Sequence, residues 1–182
     1  SLLVAKLIGA IDREFNAQIP AQQIFSTPTL SQIAAAIDHA GPRRPLDVLV
    51  PLRSGGTKSP LFCIHPAGGH VFGFVALAGQ GDEERPFIAI QCPNLDPEAT
   101  PITTVEALAD RYVDEIVAYQ PQGPYLLAGW SFGGVVAYAV AERLQRAGHE
   151  VSILCMFDSY LPSTGKIRQL MSQDELLDSA RK

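Results

Sequence analysis

Residues 124–148 constrain the fold more tightly than any other stretch of the chain. An apolar strand-like run, Pro124 to Gly129, leads into Gly129-Trp130-Ser131-Phe132-Gly133, and an amphipathic segment runs on from there to Gly148. A G-x-S-x-G pattern alone is a weak signal. Set between a strand and a helix, it matches a sharp turn that lifts a serine hydroxyl clear of the backbone. The positions two residues either side of that serine must be small, and here they are Gly129 and Gly133. Ser131 then sits at the positive end of the following helix. The competing use of such a stretch is a glycine-rich turn that only packs.

A serine hydroxyl is a poor nucleophile and needs a base, which in turn needs an acid to orient it. In strand–turn–helix hydrolases the chain order is serine, then aspartate or glutamate, then histidine. The next strand-like run after Ser131, Val151 to Phe157, ends in Asp158. A parallel sheet would put Asp158 at the strand edge that carries Ser131; its other use would be to cap a turn. Two backbone N–H groups must also face the developing oxyanion. The expected donors are Phe132, directly after the serine, and Ala67, in the small-residue loop Pro66-Ala67-Gly68-Gly69-His70 that follows the run Pro60 to His65. His65 and His70 precede the serine, and His65 is read as shaping that loop. His39 lies before the seam between the two blocks. His149 follows the far end of the helix that starts after Ser131. None of the four histidines fits the base, which is therefore expected beyond Lys182, leaving this segment inactive by itself.

Around this centre, strand-like runs at 46–52, 60–65, 87–92, 124–129 and 151–157 alternate from Pro60 onward with helical patterns at about 71–79, 102–119 and 132–147. That alternation predicts an α/β fold with a mostly parallel sheet covered on both faces. Residues 1–40 read differently, as a partial helical domain. Leu3, Leu7, Ile8, Ile11 and Phe15 recur at helical spacing and suggest one apolar stripe, with Pro20 closing the segment. A short helical turn is expected at Gln22 to Phe25. Thr29 is placed to cap a second helix that stops at Gly41-Pro42. Residues 41–45, rich in proline, read as a linker, and 46–182 as the second domain.

Composition excludes other classes. A net charge of -5 argues against a nucleic-acid binder, and no run reaches the ~18 apolar residues of a membrane span. Cys63, Cys92 and Cys155 are widely spaced and form no CxxC pair, so neither zinc nor disulfides are expected; they read as buried apolar residues in a reducing cytoplasm. The N-terminus carries no leader pattern and reads as cut from a longer chain.

At Ser131 the pattern becomes specific. Val50-Pro51-Leu52-Arg53, Pro60 to Gly69, Gln120 to Tyr125, Gly129 to Gly134 and Phe157-Asp158-Ser159 resemble the thioesterase domain that ends nonribosomal peptide synthetases, a branch of the α/β-hydrolases. Trp130 is similar to the aromatic residue of integrated thioesterases; stand-alone editing relatives commonly carry histidine there. Residues 1–40 resemble the second half of a peptidyl carrier domain, on Ser1-Leu2-Leu3 and Phe25 to Leu30. The resemblance implies that Ser1 holds covalent phosphopantetheine, added by a phosphopantetheinyl transferase; an ordinary helix-capping serine is the alternative. It also implies upstream synthetase domains in the same polypeptide, a peptidyl thioester substrate, and release by hydrolysis or cyclisation without a metal. Rival readings are a stand-alone lipase- or esterase-like serine hydrolase, which leaves residues 1–40 unexplained, and a catalytically silent carrier-docking piece.

Overall fold

The computed structural model describes residues 2–17, 19, 23–24, 29–40, 46–96 and 98–160. The chain divides into two compact units, Ser1–Leu46 and Asp47–Lys182.

In the first unit, α1 spans Leu2–Phe15 and α2 spans Leu30–Asp38. Its small core gathers Ile11, Ala17, Ile19, Ile24 and Ile33, with Val4, Ile8 and Ile37 against them. The packed stripe of α1 is therefore Val4, Ile8 and Ile11. Leu3, Leu7 and Phe15, expected inside, are exposed. At about 100° per residue, Leu3 and Leu7 fall on the flank of the packed stripe, and Phe15 sits past its end. Helix α1 stops at Phe15 because Asn16 adopts φ 49°, a left-handed state that asparagine tolerates. The closing role expected of Pro20 lies outside the described residues, as do Phe25 and Gly41-Pro42. Within the expected short turn, Gln23 and Ile24 are helical. Thr29 caps α2 as expected: its hydroxyl accepts from the Gln32 N–H, and the Gln32 side chain accepts from the Thr29 N–H.

Among the described residues the second unit has five strands, β1 (Leu49–Arg53), β2 (Leu61–Ile64), β3 (Phe87–Ile90), β4 (Tyr125–Trp130) and β5 (Val151–Phe157), in the order β1-β3-β2-β4-β5. Only β1 runs antiparallel to its neighbour. Helix α3 is Val75–Gln80, entered through a 3-10 turn at Phe72–Phe74; α4 is Val105–Tyr119 and α5 is Phe132–Arg146.

Period-two alternation sorts the strand residues onto two faces. Phe62, Ile64, Ile88, Ile90, Tyr125 and Leu127 meet Tyr112 and Ile116 of α4 and Val136, Val140 and Leu144 of α5. Cys63, Phe87, Ala89 and Ala128 meet Val71, Phe74 and Ala78 on the other face. The small residues Cys63, Ala89 and Ala128 lie side by side across three strands, which leaves room for Phe74. Arg53 ties β1 to the end of α3: its guanidinium donates to the Ala78 carbonyl and, at 2.9 Å, to the Arg85 carbonyl. That gives Val50 to Arg53, a landmark in the sequence, a structural reason.

One cysteine departs from expectation. Cys63 and Cys92 are buried, but Cys155 is exposed. It lies on β5, an edge strand among the described residues, where Ile153 and Phe157 are also exposed on alternate positions. Burial drives the Cys63 thiol up to about 12, so it stays protonated and unreactive.

Candidate active site

The strand order creates a switch point. β2 is followed by β3 on one flank, whereas β4, its other neighbour, is followed by β5 on the opposite flank. In open α/β sheets the crevice at the carboxyl ends of two such strands is where ligands bind. Two loops rise there, 65–71 after β2 and the single-residue turn at Ser131 after β4.

Ser131 holds φ 55° and ψ -122°, a rare state for a residue with a side chain. Its N–H donates to the Phe157 carbonyl at 2.8 Å, and its carbonyl accepts from the Gly134 N–H at 3.0 Å. Although Ser131 occupies the N-cap position of α5, its hydroxyl makes no capping bond. The turn closes because its neighbours lack side chains. A Cβ on Gly129 would lie 2.6 Å from the Gly134 nitrogen. One on Gly133 would lie 2.9 Å from the His65 carbonyl carbon, and nearer still to the Ile64 and His65 carbonyl oxygens. Helix α5 thus starts in direct contact with the end of β2.

Asp158 follows β5 at the same edge, exposed, with φ 48°. The preceding residue is bonded to the Ser131 N–H, so the two turns are joined. Phe132 is the first residue of α5, where an N–H has no intrahelical acceptor. Ala67 is exposed in the loop after β2. Ser1 lies outside the described residues.

The histidines separate clearly. His65 is buried, and burial lowers its ring to about 4, so it is neutral at pH 7. Both its nitrogens are engaged, Nε2 with the Tyr112 hydroxyl at 2.7 Å and Nδ1 with the Pro66 carbonyl at 2.8 Å. His70 stacks on Phe72, with ring centroids 4.9 Å apart, and partial burial lowers its pKa. His149 packs edge-on against Tyr125 beyond the far end of α5, about 22 Å along the axis from Phe132 at 1.5 Å per residue. Among the described residues no group of three or more His, Cys, Asp or Glu is placed to hold a metal ion.

Three contacts at this edge were not read from the sequence. The Ser159 hydroxyl lies 2.8 Å from the Ser131 carbonyl oxygen and 3.0 Å from that of Phe157, sharing its proton between them. Gly134 makes room for it, since a Cβ there would fall 2.6 Å from the Ser159 Cβ. Tyr112 reaches His65 from α4. Only the second glycine of Gly133-Gly134 was a usable signal; the other two are tertiary contacts.

A mostly parallel sheet with helices on both faces and a strand–turn–helix at its switch point defines the α/β-hydrolase class. Comparison with known proteins narrows this. The thioesterase-domain family model matches residues 59–180, and the phosphopantetheine-attachment-site model matches residues 1–37. The chain belongs to the thioesterase-domain family, with a carrier segment ahead of it. A probable non-canonical nonribosomal peptide synthetase, CymA of Salinispora arenicola, is 41% identical over 160 residues, 87% of this chain and 2% of that protein. A four-domain nonribosomal peptide synthetase structure bound to AMP and glycine matches at TM-score 0.65 and 29% identity, over 93% of this chain and 13% of that one. The NocB thioesterase domain from the nocardicin cluster matches at TM-score 0.58 and 32% identity, over 62% of this chain and 50% of that one. The chain thus spans a small fraction of the synthetases it resembles. No helix among the described residues is long and apolar enough to cross a membrane.

Proposed function

We propose that this chain is the carrier–thioesterase end of a nonribosomal peptide synthetase, and that Ser131 takes the peptidyl group from the carrier and releases it by hydrolysis or cyclisation. The observation that supports this most is the backbone of Ser131: a non-glycine residue held at φ 55° at the switch point, with its hydroxyl unused by the helix it precedes.

Ser1, directly before α1 in sequence, is the proposed attachment point for phosphopantetheine, installed by a phosphopantetheinyl transferase. When bound, that group supplies a flexible thiol that presents the acyl chain. The Ser131 oxygen attacks the acyl carbonyl and loses its proton to a histidine base. The Ala67 and Phe132 N–H groups face the oxyanion, and the base then passes its proton to the departing sulfur as the thioester bond breaks. Water, or an internal amine or hydroxyl, then attacks the acyl-serine. Asp158 orients the base. That base lies outside residues 1–182, so this segment alone is expected not to turn over, and His149→Ala in the complete protein should remain active.

The test uses the full-length synthetase in a reducing, cytoplasm-like buffer. With Ser131→Ala, product release should fall by several orders of magnitude, and intact-mass analysis should find the peptide still on the carrier. Ser1→Ala should abolish the mass gain given by the transferase. Wild-type release from Ser131→Ala would overturn the serine reading.

A further inference from the structure

We infer that His65 is a positioning residue for the loop after β2, holding the Pro66–Ala67 peptide so that the Ala67 N–H points into the crevice beside Ser131. The inference rests on the proposed serine chemistry, in which that N–H faces the oxyanion.

The geometry starts from a group that can only accept. The Pro66 carbonyl lies 2.8 Å from His65 Nδ1, so Nδ1 carries the proton and donates. In a neutral ring Nε2 is then the lone-pair nitrogen, and the Tyr112 hydroxyl, 2.7 Å away, must donate to it. Tyr112 is fully buried on α4 and packed among Ile64, Ile116 and Val136, so its hydroxyl is held in place. The relay therefore runs from a rigid helix through one ring to one carbonyl.

That carbonyl is half of a planar unit. The Pro66–Ala67 bond is trans, and in a trans peptide the N–H points opposite to the C=O. Fixing the Pro66 oxygen fixes the direction of the Ala67 N–H. The pyrrolidine ring already sets φ of Pro66, which leaves ψ as the remaining soft rotation. Two donors pin it, His65 Nδ1–H and the Gly69 N–H at 3.1 Å. Among the described residues no acceptor is paired with the Ala67 N–H itself. The other proposed donor is adjacent: the Phe132 ring lies 6.2 Å from the His65 ring, and Gly133 abuts the His65 carbonyl. A histidine used only as filler would need neither bond.

The experiment measures kcat and KM of the full-length synthetase on a short acyl N-acetylcysteamine thioester. Four variants are compared with wild type: His65→Leu, His65→Asn, Tyr112→Phe and Ser131→Ala. Asparagine places an amide N–H where Nδ1–H sits; leucine keeps the bulk and removes the donor. Losing one oxyanion donor lowers kcat by about 10²–10³-fold. His65→Leu should fall near the lower figure, with KM within about twofold of wild type. His65→Asn should recover at least about tenfold of that loss, and Tyr112→Phe should lose about tenfold in kcat. If His65→Leu does not fold, the Asn and Phe variants decide. Wild-type kcat in Tyr112→Phe together with folded His65→Leu, or no gain from Asn over Leu at equal Tm, would overturn the inference. The serine reading would fail separately, through an active Ser131→Ala.

Discussion

The two loops that rise from the switch point reach the same edge by opposite means. After β2 the chain takes several residues and uses left-handed glycines, Gly68 at φ 94° and Gly69 at φ 82°. After β4 it turns on Ser131 alone, at φ 55°, in a residue that keeps its side chain. Where only a backbone N–H has to be presented, glycine gives the conformation at little enthalpic cost. Where a side chain has to be presented, the strain must be borne and held by surrounding bonds. The elbow accordingly has its N–H, its carbonyl and both glycine flanks locked, whereas at Gly68 a Cβ would meet open space.

This contrast breaks most visibly at Gly133. Its missing Cβ faces the carbonyls of Ile64 and His65, which cannot retreat without disturbing the pairing of β2 with β4. Gly133→Ala should lose about 3 kcal/mol or more in a denaturant titration, as over-packing against backbone does. A loss under about 1 kcal/mol would mean the helix start is free to move.

An effect of comparable size belongs to the loop after β2 and depends on pH. The His65 ring has its pKa lowered from 6.5 to about 4 in the folded protein. Between these values the unfolded chain binds a proton that the folded chain refuses. Stability is therefore full above pH 6.5, is lost as pH falls toward 4, and levels off below. The slope contributed is about 1.4 kcal/mol per pH unit inside that window. Subtracting the stability–pH curve of His65→Asn from that of wild type isolates it. Identical curves would mean the ring is not held neutral.

Gly68→Ala sharpens the comparison further. With space available but φ at 94°, only the left-handed penalty remains, about 1–2 kcal/mol. The smallest change should be a gain. Ser131→Gly should release about 1–3 kcal/mol of strain and lose about 0.5–1 kcal/mol to added chain entropy, a net rise near 1 kcal/mol in thermal unfolding. Ser131→Ala should show no such gain. If both variants melt alike, Ser131 is not strained.

Much of this frame was legible in the chain because it is written locally. The five strands and the helices of the second unit follow from apolar runs and periodicity, and their ends move only by local rules. Thr104 accepts from the Ala107 N–H, so the helix expected from 102 starts at Val105. The weak pattern at 71–79 opens as a 3-10 turn before becoming helical. The packed face of α1 differs from the expected stripe because spacing marks apolar residues but not the neighbour they meet. The exposure of Cys155 follows from its strand lying at an edge among the described residues, which a run of seven residues does not encode. The site divides in the same way. Gly129, Ser131 and Gly133 are a five-residue pattern. Tyr112 and His65 are 47 positions apart, and Ser159 is 28 from Ser131, so only folding brings those hydroxyls to the carbonyls and the ring they touch.

The pairing of Gly134 with Ser159 ties two distant positions into one choice. Ser159 fills the space that a methyl group at position 134 would take, and its hydroxyl bridges the carbonyls of Ser131 and Phe157. Neither site can drift by itself: a larger residue at 134 evicts the bridge, and losing the bridge leaves a hole beside the turn. Sequence change here must pass through both positions together, so any attempt to redesign the edge has to treat residues 134 and 159 as a single two-letter word.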